Sequence, residues 1–353
     1  MDCEKIEEEG KLKLIFEHID VLANHNKEVA KYIIKWIAYI IQFPTLKNKV
    51  ALAFYSKKEQ AGKNIFWNFI AEEIFGMSLA RSVDSIEQLI AKFNKASEGK
   101  LFCIGNEVSS FAKHRNCEKL RSLLTEILRE IEAKGFDPYQ IKDYCAYVFL
   151  TNNFNFMRIK TGDMRYCPCQ MDESKIGKFE YFDKLAKCMT DNASLFFNYL
   201  ANLDLSDFRV TKIPMTDMKK QLIEDNLSPP LKFIQHMVDM DAEGMYDYLG
   251  MDDKENKTKE QCDKDNEDDK PYESICIIRN HKRIGTTNLY NLYKTWYTEE
   301  CGEFTHKGKI EFLRELTENG MAKAKNRLSG QAGRPWHINI KFEDLETIAE
   351  SFT

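Results

Sequence analysis

The sequence predicts an α/β fold with a mainly parallel sheet, followed by a small α+β module. Three apolar runs of strand length alternate with helical segments, and they cover residues 50–55, 101–104 and 145–150. Apolar runs in this alternation are typical of parallel sheets, whose strands are buried on both faces. Each run ends in polar residues. Ligands of such sheets bind beyond the carboxyl ends of the strands, so these polar ends are where we expect a functional site.

Composition limits the classes of protein that the chain can belong to. Its 353 residues suffice for two domains, and its 43% hydrophobic content suits a packed protein rather than a disordered one. The net charge of −5 excludes a bulk polycation, so any nucleic-acid contact has to come from a local basic surface. No apolar stretch reaches the roughly 20 residues of a membrane span. We therefore expect a soluble, intracellular protein without a membrane partner.

Apolar periodicity divides the chain into five predicted segments. These are an N-terminal helical segment over 1–48, an α/β core over 49–215, a helical extension over 216–251, an acidic disordered linker over 252–272 and a small α+β module over 273–353. The linker is predicted because residues 252–270 are dense in Asp, Glu and Lys and lack aromatic and branched aliphatic side chains. Helical spacing of apolar residues predicts helices over 12–42, 63–75, 118–130 and 178–250, the last with a break at Pro229-Pro230.

A candidate phosphate-binding loop follows the first apolar run. The standard pattern, Gly-x4-Gly-Lys-[Ser/Thr], surrounds phosphates with backbone N–H groups, neutralises them with its lysine and holds magnesium with its hydroxyl. Residues 57–64 here read KKEQAGKN, in which Gly62 and Lys63 match the pattern and Lys57 and Asn64 depart from it. A Gly-Lys pair before a helix is also an ordinary solvated turn. The candidate nucleotide-binding residues are Gln60, Ala61, Gly62, Lys63 and Asn64.

Polar side chains after the other two runs suit the same kind of site. Glu107 stands where a carboxylate would polarise an attacking water, and Asn106 stands where magnesium is supported. Asn152 could orient that water or sense a γ-phosphate, or be a turn asparagine. Arg165 could act on a neighbouring subunit's nucleotide, or be an ordinary surface arginine. The order of these residues along the chain carries more weight than any one of them.

In this order the motifs resemble the superfamily 3 helicase domain of primase–helicases from large DNA viruses, phages and related mobile elements. The resemblance covers about residues 18–230 and includes WIAYIIQFP at 36–44, ALAF at 51–54, GKN at 62–64, NE at 106–107, KG at 134–135, YVFLTNN at 147–153 and GDMRY at 162–166. It implies an AAA+-like P-loop NTPase fold with the N-terminal helices as a collar. It further implies ATP hydrolysis with Mg²⁺, translocation on single-stranded DNA, and self-assembly into a ring, commonly a hexamer. A primase or polymerase would be a further partner.

The resemblance also implies a role for each matching residue. By motif position Lys63 is the phosphate lysine, Glu107 the catalytic acid, Asn152 the polar sensor and Arg165 the arginine finger. The family places a hairpin that contacts single-stranded DNA between the acidic motif and the sensor, and Lys134 lies in the matching stretch.

The C-terminal segment resembles the small winged-helix-like module that often follows this helicase domain. Residues 279–341 hold twelve Lys and Arg against six Asp and Glu, an excess that fits phosphate contact. A protein-binding or ring-stabilising module is the alternative.

Six residues depart from the family pattern, and two of them, Lys57 and Ala61, reduce the flexibility of the loop. Gln60 replaces a glycine, so its side chain can crowd the approach of phosphates to the backbone. Asn64 lacks the hydroxyl, Asn106 removes a negative charge near the metal, and Met164 stands where a second arginine is common. Two functions therefore remain open. One is an ATP-dependent DNA helicase or translocase of replication, and the other is a catalytically decayed relative that acts as a nucleic-acid-binding or assembly module.

Overall fold

The structure is a computed structural model that describes residues 3–106, 114–249, 283–301, 306–321, 323–324, 337–339 and 342–351. The chain divides into two compact units, Met1–Ile223 and Glu224–Thr353. Two predicted features, Glu107 and the linker over 252–272, lie outside the described residues. None of the described helices has the length and apolar character needed to cross a membrane.

Seven strands of the first unit form a central sheet and a hairpin. They are β1 (Ala51–Tyr55), β2 (Ala80–Val83), β3 (Phe102–Gly105), β4 (Leu128–Ile131), β5 (Tyr139–Lys142), β6 (Ala146–Thr151) and β7 (Tyr166–Gln170). The five-stranded central sheet is parallel in the order β2-β3-β6-β1-β7, and β4 pairs antiparallel with β5. The predicted parallel sheet is confirmed, because the three apolar runs are β1, β3 and β6, and these strands lie side by side.

Helices cover both faces of this sheet. They are α1 (Cys3–Leu22), α2 (Lys27–Gln42), α3 (Lys63–Phe69), which continues as a π-helical turn over Ile70–Phe75, α4 (Ile86–Leu89), α5 (His114–Thr125), α6 (Phe179–Asp191), α7 (Ala193–Ala201) and α8 (Asp217–Asp225). Leu52 and Phe54 face the core shared with α1, α2, α6 and α7. Ala53 and Tyr55 face the opposite core, to which α5 and α8 contribute. Alternate residues of β1 thus pack into different cores, which is why the whole strand is apolar.

The N-terminal helices are part of this first core. Trp36 of α2 is fully buried, and its indole N–H donates to the carbonyl of Val50, 3.0 Å away, at the start of β1. Its ring packs edge-on against Trp67 of α3 at 6.4 Å. The segment predicted as a collar therefore packs directly on the sheet.

One predicted helix is wrong in its second half. The helix predicted over 118–130 ends at Thr125, and Leu128–Ile131 forms strand β4. Leu128 pairs with Lys142, and Ile131 pairs with Tyr139. Pairing with a strand further along the chain provides hydrogen bonds that local periodicity does not reveal.

The second unit contains both helices and strands. Its elements are α9 (Pro229–Asp239), α10 (Asp241–Tyr248), β8 (Arg283–Gly285), α11 (Thr286–Cys301), α12 (Lys309–Glu318), β9 (Lys323–Ala324), β10 (His337–Asn339) and α13 (Phe342–Glu350). The three strands form an antiparallel sheet in the order β8-β10-β9. Pro229 and Pro230 occupy the first turn of α9, where a missing backbone N–H costs nothing. Helices α9 and α10 share one core with α11, α12 and α13, whereas the sequence placed them in a separate extension over 216–251.

Candidate functional site

A cavity of about 500 Å³ lies at the carboxyl edge of the central sheet, where β1 and β6 end. Its walls come from the loop and helix start at 59–65, from the end of β6 at 150–152, and from Gly177, Phe179 and Phe182. This volume is within the range of small-molecule sites. The structure therefore brings the predicted loop and the predicted Asn152 to one cavity.

Lys63 places a buried cation against this cavity. Its ammonium donates to Ser56 Oγ at 2.6 Å, to the carbonyl of Thr151 at 2.7 Å and to Asn152 Oδ1. An ammonium has three N–H donors, so each of them has an acceptor. Burial lowers the pKa of Lys63 to about 8, against the opposing attraction of Glu173 and Glu59. An anion in the cavity would attract the ammonium and so oppose the effect of burial on the pKa of Lys63.

A glycine is required at position 62, both by the backbone conformation there and by the side chains around it. It precedes α3 with φ of 98°, in the left-handed region that favours glycine. A Cβ at this position would lie 2.6 Å from Phe182 Cε1 and 2.8 Å from His18 Cε1. Gln60 also has a left-handed φ, of 58°, and it is exposed at the cavity wall rather than filling the cavity.

The two predicted magnesium residues are in contact. Asn64 Nδ2 donates to Asn106 Oδ1 at 3.2 Å, and Asn106 Nδ2 donates to Ser82 Oγ at 2.8 Å. The described part of the chain contains no group of three or more His, Cys, Asp or Glu that could hold a metal ion. Mg²⁺ usually takes one or two carboxylates together with substrate phosphates. At this position Asn64 and Asn106 offer amide groups and no carboxylate.

The structure does not bring Arg165 to this cavity. The Arg165 carbonyl accepts a hydrogen bond from the N–H of Ala51 at 2.8 Å, which places it at the amino edge of the sheet. The length of β1, roughly 16 Å for five residues, separates that edge from Lys63. The guanidinium instead forms two hydrogen bonds, of 2.9 and 2.6 Å, with the carboxylate of Asp163.

Lys134 also lies away from the cavity. It is exposed in the loop of the β4–β5 hairpin, beside Gly135 and Phe136. A hairpin is therefore present where the family resemblance places one.

Several side chains at the cavity were missed by sequence reasoning. His18 is fully buried behind the loop, with Nε2 3.1 Å from the Gly62 carbonyl and Nδ1 3.1 Å from the Tyr181 hydroxyl. Ser56 directly follows the first apolar run, so its position next to the loop was a usable signal. His18 and Tyr181 gave no such signal, because they approach the loop from distant parts of the chain.

His18 is expected to make the stability of the protein depend on acid pH. Burial lowers the pKa of His18 to about 4 from its ordinary value of 6.5. Between these values the unfolded chain binds a proton that the folded chain excludes, so stability is full above about pH 6.5 and falls as the pH drops towards 4. The total loss should be roughly 3 kcal/mol. Urea unfolding of the wild type and of His18→Gln across this pH range should show the wild type losing this much more than the variant. Parallel losses in the two proteins would contradict the prediction.

The fold and the cavity together define an α/β protein with a parallel five-stranded sheet and a small-molecule pocket at its carboxyl edge. Residues 54–165, which include the loop, Asn106, Asn152 and Arg165, match a family of unknown function, DUF5906. Over 222 residues the chain is 23% identical to a DNA primase-polymerase of Nitratiruptor phage NrS-1, in an alignment that covers 61% of this chain and 30% of the phage protein.

Solved structures of the NrS-1 C-terminal region share the fold. One apo structure matches with a TM-score of 0.65 and 19% identity, over 93% of this chain and 75% of the other. A second apo structure, of residues 305–718 of NrS-1, gives a TM-score of 0.64 with the same identity and coverage. The chain thus spans under a third of the length of the phage primase-polymerase, and it is similar to that protein's C-terminal region.

Proposed function

We propose that the chain is an ATP-hydrolysing DNA helicase or translocase of the superfamily 3 type that works as a ring in DNA replication. The similarity to a phage DNA primase-polymerase and to its C-terminal region supports a role in replication. The arrangement of the sheet supports a nucleotide site, because β1, which leads into the loop, is paired with β6, which leads into Asn152.

The observation that carries this proposal is the position of the Lys63 ammonium. It is held by acceptors from the ends of two neighbouring strands, next to a cavity large enough for a nucleotide. With a pKa of about 8 it is mostly protonated at neutral pH, so it can neutralise an anion. Lys63 and the backbone of residues 60–64 would hold the phosphates of ATP, and Asn64 and Asn106 would face its Mg²⁺. Hydrolysis of the nucleotide would supply the free energy for movement on DNA.

Arg165 supports assembly into a ring. Its place at the opposite edge of the sheet prevents it from reaching the cavity of its own chain. It can therefore act as an arginine finger only on the nucleotide of another copy. A closed ring gives every cavity such a neighbour.

The β4–β5 hairpin and the segment beside it offer a surface for single-stranded DNA. Phe136 at the hairpin loop is 75% exposed, and Phe93 is 56% exposed. Asn94 joins the two segments, because its side chain donates to the Glu130 carbonyl and accepts from the N–H of Glu132, both at 2.9 Å. Exposed aromatic rings stack on bases without reading sequence, and lysines such as Lys134 contact the phosphates.

Replacing Phe136 with alanine is expected to weaken binding to single-stranded DNA by about 1–3 kcal/mol, the cost of losing one stacked base. The salt dependence should not change, because no charge is lost. Replacing Lys134 with alanine should instead reduce the slope of log affinity against log salt by about 0.7. Fluorescence anisotropy with a labelled oligonucleotide measures both quantities. Phe197→Ala, which removes an exposed ring from α7, is the matched control, and equal affinity of Phe136→Ala and wild type would refute the contact.

The test of the proposed function is ATP turnover with and without single-stranded DNA. We expect DNA to stimulate the wild type and Lys63→Ala to lower turnover about 10²-fold, the usual effect of removing one preorganised charge. Lys49→Ala removes an exposed lysine from the segment before β1 and should keep wild-type turnover. Equal turnover of wild type and Lys63→Ala would rule the proposal out.

A decayed relative that binds nucleic acid or assists assembly is the second candidate. Three observations favour it: Gln60 in a left-handed backbone, amides at positions 64 and 106, and a Lys63 whose three donors are already satisfied by the protein. This function predicts an affinity for DNA that falls as the salt concentration rises and does not depend on ATP. ATP-dependent ring assembly would argue against it.

A further inference from the structure

A histidine from α1 contacts the backbone of the phosphate loop. His18 Nε2 lies 3.1 Å from the carbonyl oxygen of Gly62, and the ring is fully buried between the loop and α6. On its other side Nδ1 lies 3.1 Å from the hydroxyl of Tyr181. Both His18 and Tyr181 lie outside the region that matches the family.

The chemistry of the three groups fixes the direction of these hydrogen bonds. A carbonyl oxygen can only accept, so Nε2 carries the proton and donates to Gly62. Nδ1 of the neutral ring is then an acceptor, and the Tyr181 hydroxyl donates to it. Because burial holds the pKa of His18 near 4, the ring is neutral at physiological pH and keeps this tautomer.

This chain of hydrogen bonds controls the peptide between Gly62 and Lys63. The Gly62 carbonyl and the Lys63 N–H belong to one planar trans peptide, so they point in opposite directions. Fixing the carbonyl towards His18 therefore fixes the N–H of Lys63 away from it. Gly62 and Lys63 both line the cavity. As the N-cap of α3, the Gly62 carbonyl also accepts the first hydrogen bond of that helix, so His18 adds a second donor to the same oxygen.

We propose that His18 is a positioning residue that holds the Gly62–Lys63 peptide in the orientation needed to bind a phosphate, and that Tyr181 holds His18 in the required tautomer. This inference rests on the proposed nucleotide site. His18 does not touch the ligand and acts through the loop.

The first test needs no nucleotide. Hydrogen exchange of the amides in the first turn of α3, at 63–66 in the full chain, should be about tenfold faster in His18→Leu, because the Gly62 carbonyl that begins this turn loses one of its two donors. His18→Gln places an amide N–H in the position of Nε2 and should restore slow exchange. His25→Leu removes an exposed histidine that contacts Asp20 and Asp172 instead of the loop, and should leave exchange unchanged.

The second test is the affinity for ATP, measured by calorimetry on the same proteins. His18→Leu should bind about tenfold more weakly, with affinity restored in His18→Gln at equal thermal stability. Tyr181→Phe keeps the ring packing and loses only the hydroxyl, so its affinity for ATP should also fall. It provides the test if His18→Leu does not fold. Wild-type exchange and affinity in both His18→Leu and Tyr181→Phe would overturn the inference. A wild type that does not bind ATP would instead refute the proposed function, and the exchange test would still decide the role of His18.

Discussion

Replacing Arg165 with alanine is expected to lower ATP turnover by about 10³-fold or more, while ATP affinity stays close to that of the wild type. This difference between turnover and affinity follows from the position of Arg165. Arg165 lies at the amino edge of the sheet, away from the cavity of its own chain, so it cannot contribute to holding the nucleotide there. Its guanidinium would contact only the phosphates in a neighbouring copy, where charge develops during hydrolysis.

Mixing two inactive variants tests the same geometry directly. In a ring built from Lys63→Ala and Arg165→Ala chains, some cavities combine an intact Lys63 with an intact Arg165 from the next chain. We therefore expect partial recovery of turnover on mixing. Arg158→Ala, which removes an exposed arginine from the same segment between β6 and β7, serves as the control and should keep full turnover. No recovery on mixing, or a loss of ATP affinity in Arg165→Ala, would contradict action across a subunit boundary.

Arg165→Lys should not restore turnover. In the structure the guanidinium is held by Asp163 through two parallel hydrogen bonds, a geometry that an ammonium cannot reproduce. The side chain of Asp163 is almost fully buried, and its backbone carbonyl accepts a hydrogen bond from Lys219 at 2.9 Å. The carboxylate that holds Arg165 is therefore itself fixed in position. Asp163→Asn is expected to reduce turnover less than Arg165→Ala, because the arginine remains present but less well oriented.

Replacing Trp67 with alanine is expected to lower the free energy of unfolding by about 3–5 kcal/mol. Trp67 on α3 is fully buried. Its ring centroid lies 5.1 Å from that of Phe54, 5.0 Å from Phe66 and 6.1 Å from Phe102, where the rings are stacked. Alanine would leave a large cavity among these rings, and Phe54 and Phe102 are fixed on strands β1 and β3, so they cannot close around it. Urea unfolding followed by circular dichroism gives the free energy, and a loss below about 1 kcal/mol would contradict this account of the core.

Trp67→Phe is the matched control. Among the described residues the indole N–H of Trp67 has no hydrogen-bond partner. Phenylalanine keeps most of the ring packing and removes this buried donor, so the expected loss is under about 1.5 kcal/mol. Because α3 starts at Lys63, directly after Gly62, the stability of this core also affects the loop at 57–64.

The sheet and part of the cavity could be predicted from the sequence because their signals are local. Each buried strand is a continuous apolar run, and the residues that follow it must lie at one edge when the strands are parallel. For this reason the loop and Asn152 line one cavity, as predicted, and Asn64 lies beside Asn106. The second half of the helix predicted over 118–130 is wrong because its signal is not local. Strand β4 is specified by its pairing with β5 rather than by its own periodicity.

The sequence by itself determined the parallel α/β sheet, the glycine before α3 and the set of polar residues at the strand ends. These depend on hydrophobic period and on backbone conformation, which a short stretch of chain already encodes. Only the tertiary structure decided that His18 contacts Gly62 and Tyr181 contacts His18, that Arg165 lies at the far edge of the sheet, and that α9 and α10 belong to the second unit. Those features depend on which distant side chains are packed together, and burial brings such residues into contact without leaving a pattern in either segment.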